Sequence, residues 1–216
     1  MVTGRPGPVV LDVPFDIFKE PCSDGTPLPE AWNANINCRS GADPEGLAKA
    51  VDMLLAAERP VILVGQGVRY GKATADLLKV AERLKIPVGW SVGGAGAIQA
   101  RHPLALGLIA RNGAYQANHA PRQAHVLLAL GVRFDDRTSS SWIPGYSFTI
   151  SPTKLIHVDI DPEQMGRNYP VALGLMADVR TFLRQVIAEL DARKAKSEVP
   201  QPRLAWLQTI DGYRKQ

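Results

Sequence analysis

Arg59-Pro-Val-Ile-Leu-Val64, followed by the turn Gly65-Gln-Gly-Val-Arg-Tyr-Gly71 and a helical stretch from Lys72 to Leu84, decides the fold. An unbroken apolar run of strand length predicts a strand covered on both faces, because a strand with one wet face alternates polar and apolar residues. Strand, glycine-rich turn and helix together open a βαβ unit, whose crossover lays the next strand parallel to the first.

The segments on either side extend that unit. On the N-terminal side, Asp43 stands as N-cap with Pro44 at the first helical position, and Leu47, Val51, Leu54 and Leu55 make one apolar helical face. On the C-terminal side, strands are expected at Pro87–Trp90, His125–Leu130, Lys154–Asp159 and Val171–Gly174, with helical character near Tyr115–Ala120. Asp178 then caps an amphipathic helix whose inward residues are Phe182, Leu183, Val186, Ile187 and Leu190. Five short apolar strands alternating with helices predict an α/β, doubly wound, mainly parallel sheet with helices on both faces, a Rossmann-like arrangement of the FAD- or NAD-binding type. The expected core spans 43–192, preceded by a linker over 21–42 that is rich in Pro, Asn, Ser and Gly. Beyond Arg193 the chain turns polar, and Leu204–Tyr213 reads as a last helical stub. Val9–Val13, bounded by prolines, reads as an orphan strand with no companion before it, expected to be disordered or to borrow a partner.

Composition excludes several classes. No stretch of the 216 residues approaches the ~20 apolar residues of a membrane helix, and Met1-Val-Thr-Gly-Arg-Pro-Gly7 lacks the apolar run of a signal peptide. A soluble cytoplasmic protein with no membrane or nucleic-acid partner is expected. Its 25 basic and 21 acidic residues are interspersed, and the densest basic run, Arg193-Lys-Ala-Lys196, reads as a solvated helix end rather than a nucleic-acid arm. Two cysteines, Cys22 and Cys38, support neither a disulfide scaffold nor a zinc ribbon.

In an open parallel sheet, ligands bind beyond the carboxyl ends of the strands. The first loop there, Gly65-Gln-Gly67, resembles a dinucleotide turn, but Tyr70 stands where the third glycine belongs and no acid ends the second strand at Trp90-Ser91. A standard NAD dehydrogenase is disfavoured, and a turn that merely needs glycine stands beside the binding reading. Arg133-Phe-Asp-Asp-Arg137 carries four charges after a buried strand, suited to phosphate oxygens or ribose hydroxyls or else to a surface ion-pair cluster. Asp159 ends an apolar strand, where it accepts from a ribose hydroxyl or caps the next helix with Asp161 and Pro162. The histidines His102, His119, His125 and His157 assemble no catalytic set, and no nucleophile elbow, H-E-x-x-H or phosphate loop occurs. The sequence has a binding architecture without a recognisable reaction centre, so no catalytic or metal-ligating residue is assigned.

Taken in order, these segments resemble the central domain of thiamine-diphosphate-dependent enzymes, in the acetolactate synthase branch. The resemblance is carried by Gly4–Pro14, Ala57–Val68, His102–Gly107 with Ala117-Asn118, Leu130–Arg137 and Ile156–Pro162. It implies that 1–20 is a remnant of a preceding pyrimidine-binding domain and that 193–216 leads toward a diphosphate-binding domain, both partners lying outside this chain. It further implies a parent homodimer or homotetramer in branched-chain amino acid biosynthesis, with thiamine diphosphate and Mg2+ held elsewhere in the parent. For this domain it implies FAD, ADP or an empty pocket, and no activity of its own. Carried over by position, Gly65, Gly67 and Val68 approach the nucleotide's phosphates or ribitol, with Ser91 in the loop after the second strand and Gly107 near the flavin. Arg133, Asp135 and Arg137 line the pyrophosphate and ribitol region, and Asp159, Ile160, Asp178 and Val179 surround the adenosine. The family's flavin-contacting G-M-H-G reads Ala110-Arg-Asn-Gly113 here, leaving Asn112 and Gly113 as contacts, and its V-P-K-D reads Val13-Pro-Phe-Asp16. Two other readings are a structural spacer with a degenerate pocket and an NAD-consuming deacylase, the latter opposed by the lack of paired C-x-x-C ligands.

Overall fold

The computed structural model describes residues 4–21, 39–193 and 200–215, which belong to two compact units, 1–38 and 39–216. In the first unit the described chain is extended and then closes one 3-10 turn, Ile17–Lys19. The strand expected at Val9–Val13 pairs with nothing there; Val10 and Leu11 are 89% and 84% exposed. A strand is defined by its ladder, and no companion strand lies in this unit among the described residues.

The second unit is built on six parallel strands: β1 (Pro60–Val64), β2 (Val88–Trp90), β3 (Ala105–Leu108), β4 (Val126–Leu130), β5 (Lys154–Asp159) and β6 (Leu173–Met176). Their order in the sheet is β3-β2-β1-β4-β5-β6. The helices are α1 (Pro44–Ala56), α2 (Gln66–Tyr70), α3 (Thr74–Leu84), α4 (Tyr115–Arg122), α5 (Val179–Ala192) and α6 (Gln201–Tyr213). Both central strands, β1 and β4, are buried at every position, as their unbroken apolar runs require.

Alternation along β1 divides the core in two. Ile62 and Val64 point to the face covered by α1, α3 and α5, where Leu54, Leu77 and Phe182 are fully buried. Val61 and Leu63 point to the other face, covered by α4, α6 and the segment from Val132 to Phe148. The doubly wound α/β arrangement expected from the sequence is therefore the fold. The Asp43 carboxylate accepts from the Gly46 amide at 2.9 Å, and Asp178 accepts from Thr181 at 3.0 Å, so both caps act as read.

Three elements depart from the expectation. β3 is a sixth strand that no five-strand reading contains: it has four residues, follows Pro103, and carries Gly107 at φ +107°, all of which weaken a strand signal. The last strand lies two residues further along than Val171–Gly174, with Leu175 buried against the helical face. The second helix starts at Thr74 rather than Lys72, after the separate short turn of α2. Within 193–216, α6 packs onto the sheet through Trp206 and Ile210.

Candidate functional site

All strands run the same way, so the segments following Val64, Trp90, Leu108, Leu130, Asp159 and Met176 lie along one edge of the sheet. The strand order reverses between β1 and β4, which makes that point of the carboxyl edge the place where adjacent loops part. Each loop first continues the ladder of its neighbour: Gly65 N–H donates to Leu130 O at 2.9 Å, Ser91 N–H to Val64 O at 2.9 Å and Gly131 N–H to Val158 O at 2.8 Å.

The glycines here are used by the chain itself. A Cβ on Gly65 would lie 2.1 Å from Gly131 O, and Gly131, at φ +59°, would drive a Cβ to 2.6 Å from the Gly67 Cα. The loops after β1 and β4 thus meet backbone to backbone, a contact only glycine permits. Gly131 was not among the candidate residues; its only signal is its place after an apolar strand. Val68 is fully buried in α2 and faces packing, while Ser91, 7% exposed, stands directly after β2.

The charged loop after β4 is held open by its one apolar member. Phe134, 2% exposed and at φ +53°, stacks edge-on against Phe148, Tyr169 and His157 at centroid distances of 5.6, 5.3 and 5.4 Å. Trp142 Nε1–H and Asn168 Nδ2–H both donate to its carbonyl, at 3.0 and 3.1 Å, which offsets the strained backbone. That anchor leaves Arg133, Asp135, Asp136 and Arg137 exposed. Asp135 accepts from the Thr138 amide at 2.8 Å, while neither Arg133 nor Arg137 makes an ion pair among the described residues.

Asp159 is buried, and its carboxylate accepts from the Asp161 amide at 2.9 Å; Asp161 in turn caps the turn Pro162–Gln164. Ile160 follows, partly exposed. Asp178 is occupied twice, by the α5 N-terminus and by Arg39, whose guanidinium donates to it at 3.0 Å and to Gly71 O at 2.9 Å. Arg39 lies 139 positions away in sequence, which is why no local pattern exposed the pair. Val179 is 4% exposed. At the β3 end, Asn112 is exposed, and a Cβ on Gly113 would lie 2.2 Å from Leu108 O. Arg111 donates from its backbone to Arg137 O at 3.2 Å and from its side chain to Ser141, tying this stretch to the charged loop. Gly107 lies inside β3 against Ala114 and Ala117 of the α4 side rather than at the strand's end.

The four histidines are dispersed. His157, 1% exposed, hydrogen-bonds to Val132 O at 2.8 Å, and burial lowers its imidazole below the ordinary 6.5. Among the described residues no three His, Cys, Asp or Glu side chains gather as metal ligands, and no helix is long and apolar enough to cross a membrane.

A doubly wound sheet in the order 3-2-1-4-5-6 defines the Rossmann class. Within it, residues 47–186 match the family described as "Thiamine pyrophosphate enzyme, central domain", and the chain belongs to that family. It is 34% identical over 219 residues to a probable acetolactate synthase large subunit of Methanococcus aeolicus, covering 99% of this chain and 36% of that protein. Against the acetolactate synthase isozyme 3 large subunit of Escherichia coli (strain K12) the identity is 33% over 217 residues, covering 98% and 36%. With the acetolactate synthase large subunit of Haemophilus influenzae it is 31% over 220 residues, again 98% and 36%. The chain therefore spans about a third of the length of the relatives it matches.

Proposed function

We propose that this chain serves as the central domain of an acetolactate synthase-like enzyme that decarboxylates a 2-oxo acid such as pyruvate and transfers the two-carbon unit, and that the carboxyl edge of its sheet binds FAD or ADP. Thiamine diphosphate, held with Mg2+ by a pyrimidine-binding and a diphosphate-binding domain outside this chain, supplies the decarboxylation chemistry. The domain's own part is to bind and orient, within a cytoplasmic homodimer or homotetramer.

The observation that carries the nucleotide reading is the pair of arginines at the switch point. Arg133 and Arg137 stand exposed without carboxylate partners among the described residues, in the loop that the Phe134 anchor holds, and guanidinium forks match pyrophosphate oxygens. The residues fit a nucleotide's diphosphate in charge. Beside it, Ser91 and Asn112 serve the flavin or ribitol side, and Asp159 and Ile160 the adenosine side. A second reading, a spacer with no nucleotide, is favoured by the glycines: Gly65, Gly67 and Gly131 fill their own space with one another's backbone.

Titration with FAD and with ADP separates the two. Binding at roughly 100 μM or tighter is expected, seen as a flavin-fluorescence change or a raised unfolding temperature, and Arg133→Gln with Arg137→Gln is expected to weaken it by at least about tenfold, one charge-assisted hydrogen bond's worth. No response to either nucleotide supports the spacer. For the catalytic reading, the coding sequence flanking this chain is expected to specify a glutamate-bearing domain upstream and a G-D-G…N stretch downstream; their absence would overturn it.

A further inference from the structure

At the opposite edge of the sheet, where the strands begin, lies a cavity of about 630 Å3. It opens between the end of α1, the end of α4 and the starts of β4 and β5. Met53, Ala56, Ala124, Val126 and Pro152 give it apolar wall. Arg59, Arg122 and Lys154 give it three fixed positive charges. Its one acidic lining residue, Asp52, is already paired with Arg193.

The guanidinium groups are what set this cavity apart. Arg59 donates to His125 Nε2 at 2.6 Å, and among the described residues the Arg122 guanidinium reaches the His119 ring alone, at 3.3 Å. Neither faces a carboxylate among the described residues, and the Nε of each is shielded from solvent with no hydrogen-bond partner there. His125, accepting from Arg59 through Nε2, presents Nδ1–H toward Glu58 at 3.9 Å, so it neutralises neither arginine. Both guanidinium groups line one concave space together with Lys154, and the lining offers them no free carboxylate, an arrangement that suits an anionic acceptor. The volume is that of a small-molecule site, with apolar wall and a few convergent polar groups.

We propose that this cavity binds a small amphiphilic anion, its carboxylate or phosphate head held by Arg59 and Arg122 with Lys154 at the mouth, and its apolar body against Met53 and Val126. This site is separate from the nucleotide edge and does not depend on nucleotide binding there. The head could be either oxyanion, and both are matched by the arginine fork.

The 216-residue chain is titrated with benzoate, phenyl phosphate and the uncharged benzyl alcohol, following backbone amide NMR shifts. Saturable shifts at Ala124, His125, Val126, Thr153 and Lys154 are expected below about 10 mM with one or both anions and not with the alcohol. The tighter anion identifies the head group. Arg59→Gln with Arg122→Gln is expected to weaken that binding at least about tenfold, and Lys154→Glu, at an exposed side chain on the first residue of β5, about threefold. Equal shifts with the alcohol, no saturation with either anion, or unchanged affinity in the Lys154→Glu chain and the folded double variant would each overturn the proposal. Loss of FAD or ADP binding alone leaves these shifts in place, so the two readings fail separately.

Discussion

The two edges of the sheet treat charge in opposite ways. At the carboxyl edge helices begin, and the acids there are consumed by the chain: Asp43 caps α1, Asp178 caps α5 and pairs with Arg39, and Asp161 caps the turn after β5. At the amino edge α1 and α3 end, and a buried cation closes them. Arg203 of α6, 1% exposed, donates to Leu54, Leu55, Ala57 and Leu84, the carbonyls that close α1 and α3. Helix ends carry partial charges of opposite sign, which favours these aspartates at helix starts and Arg203 at the ends of α1 and α3. Among the described residues, the arginines without a carboxylate partner include Arg133 and Arg137 on one edge and Arg59 and Arg122 on the other.

Arg203→Ala attacks the amino edge at its anchor. It removes five hydrogen bonds, four of them buried, and leaves a void, and is expected to cost about 4 kcal/mol in urea unfolding; a cost near that of an exposed arginine would mean the carbonyls are satisfied by water. On the other edge, Gly65→Ala puts a Cβ 2.1 Å from Gly131 O, and about 3 kcal/mol is expected. Gly96→Ala, left-handed at φ +87° but facing open space, should cost only about 1 kcal/mol, so equal losses would contradict loop-to-loop contact as the cause.

His157 gives the carboxyl edge an acid-side sensitivity. Its folded imidazole titrates below 6.5, so the unfolded chain takes up a proton the folded one refuses as the pH drops through 6.5. Stability is unaffected above that value and falls below it, by up to about 1.4 kcal/mol per pH unit, until the folded ring also protonates. Melting temperatures at pH 7 and pH 5 should converge in His157→Gln; an unchanged gap would assign the loss to other groups. The smallest effect expected is that of Asp178→Ala, about 1 kcal/mol for the lost cap, with Arg39 released from its 3.0 Å contact. If that variant also leaves nucleotide affinity unchanged, Asp178 is a structural residue of this edge alone.

Much of this was legible in order along the chain. β1, β4 and β5 announce themselves as unbroken apolar runs, Asp43-Pro44 and Asp178 as helix starts, and the charged loop after β4 as a loop at the ligand edge. β3 was not legible, because four residues containing a left-handed glycine hold no periodicity, and its strand exists only through pairing with β2. Arg203 looked like one more charge in a polar tail; its burial depends on the ends of two helices more than a hundred residues earlier.

Local periodicity, capping residues and turn chemistry act over a few neighbours, so the chain's own order was enough to specify an α/β sheet and the edge where its polar loops gather. Which glycine meets which backbone, which acid is spent on Arg39, and which arginines are left facing a cavity depend on residues brought together across the sheet. Packing distance and charge compensation are pairwise and long-range in sequence, and only the folded chain brings the pairs together.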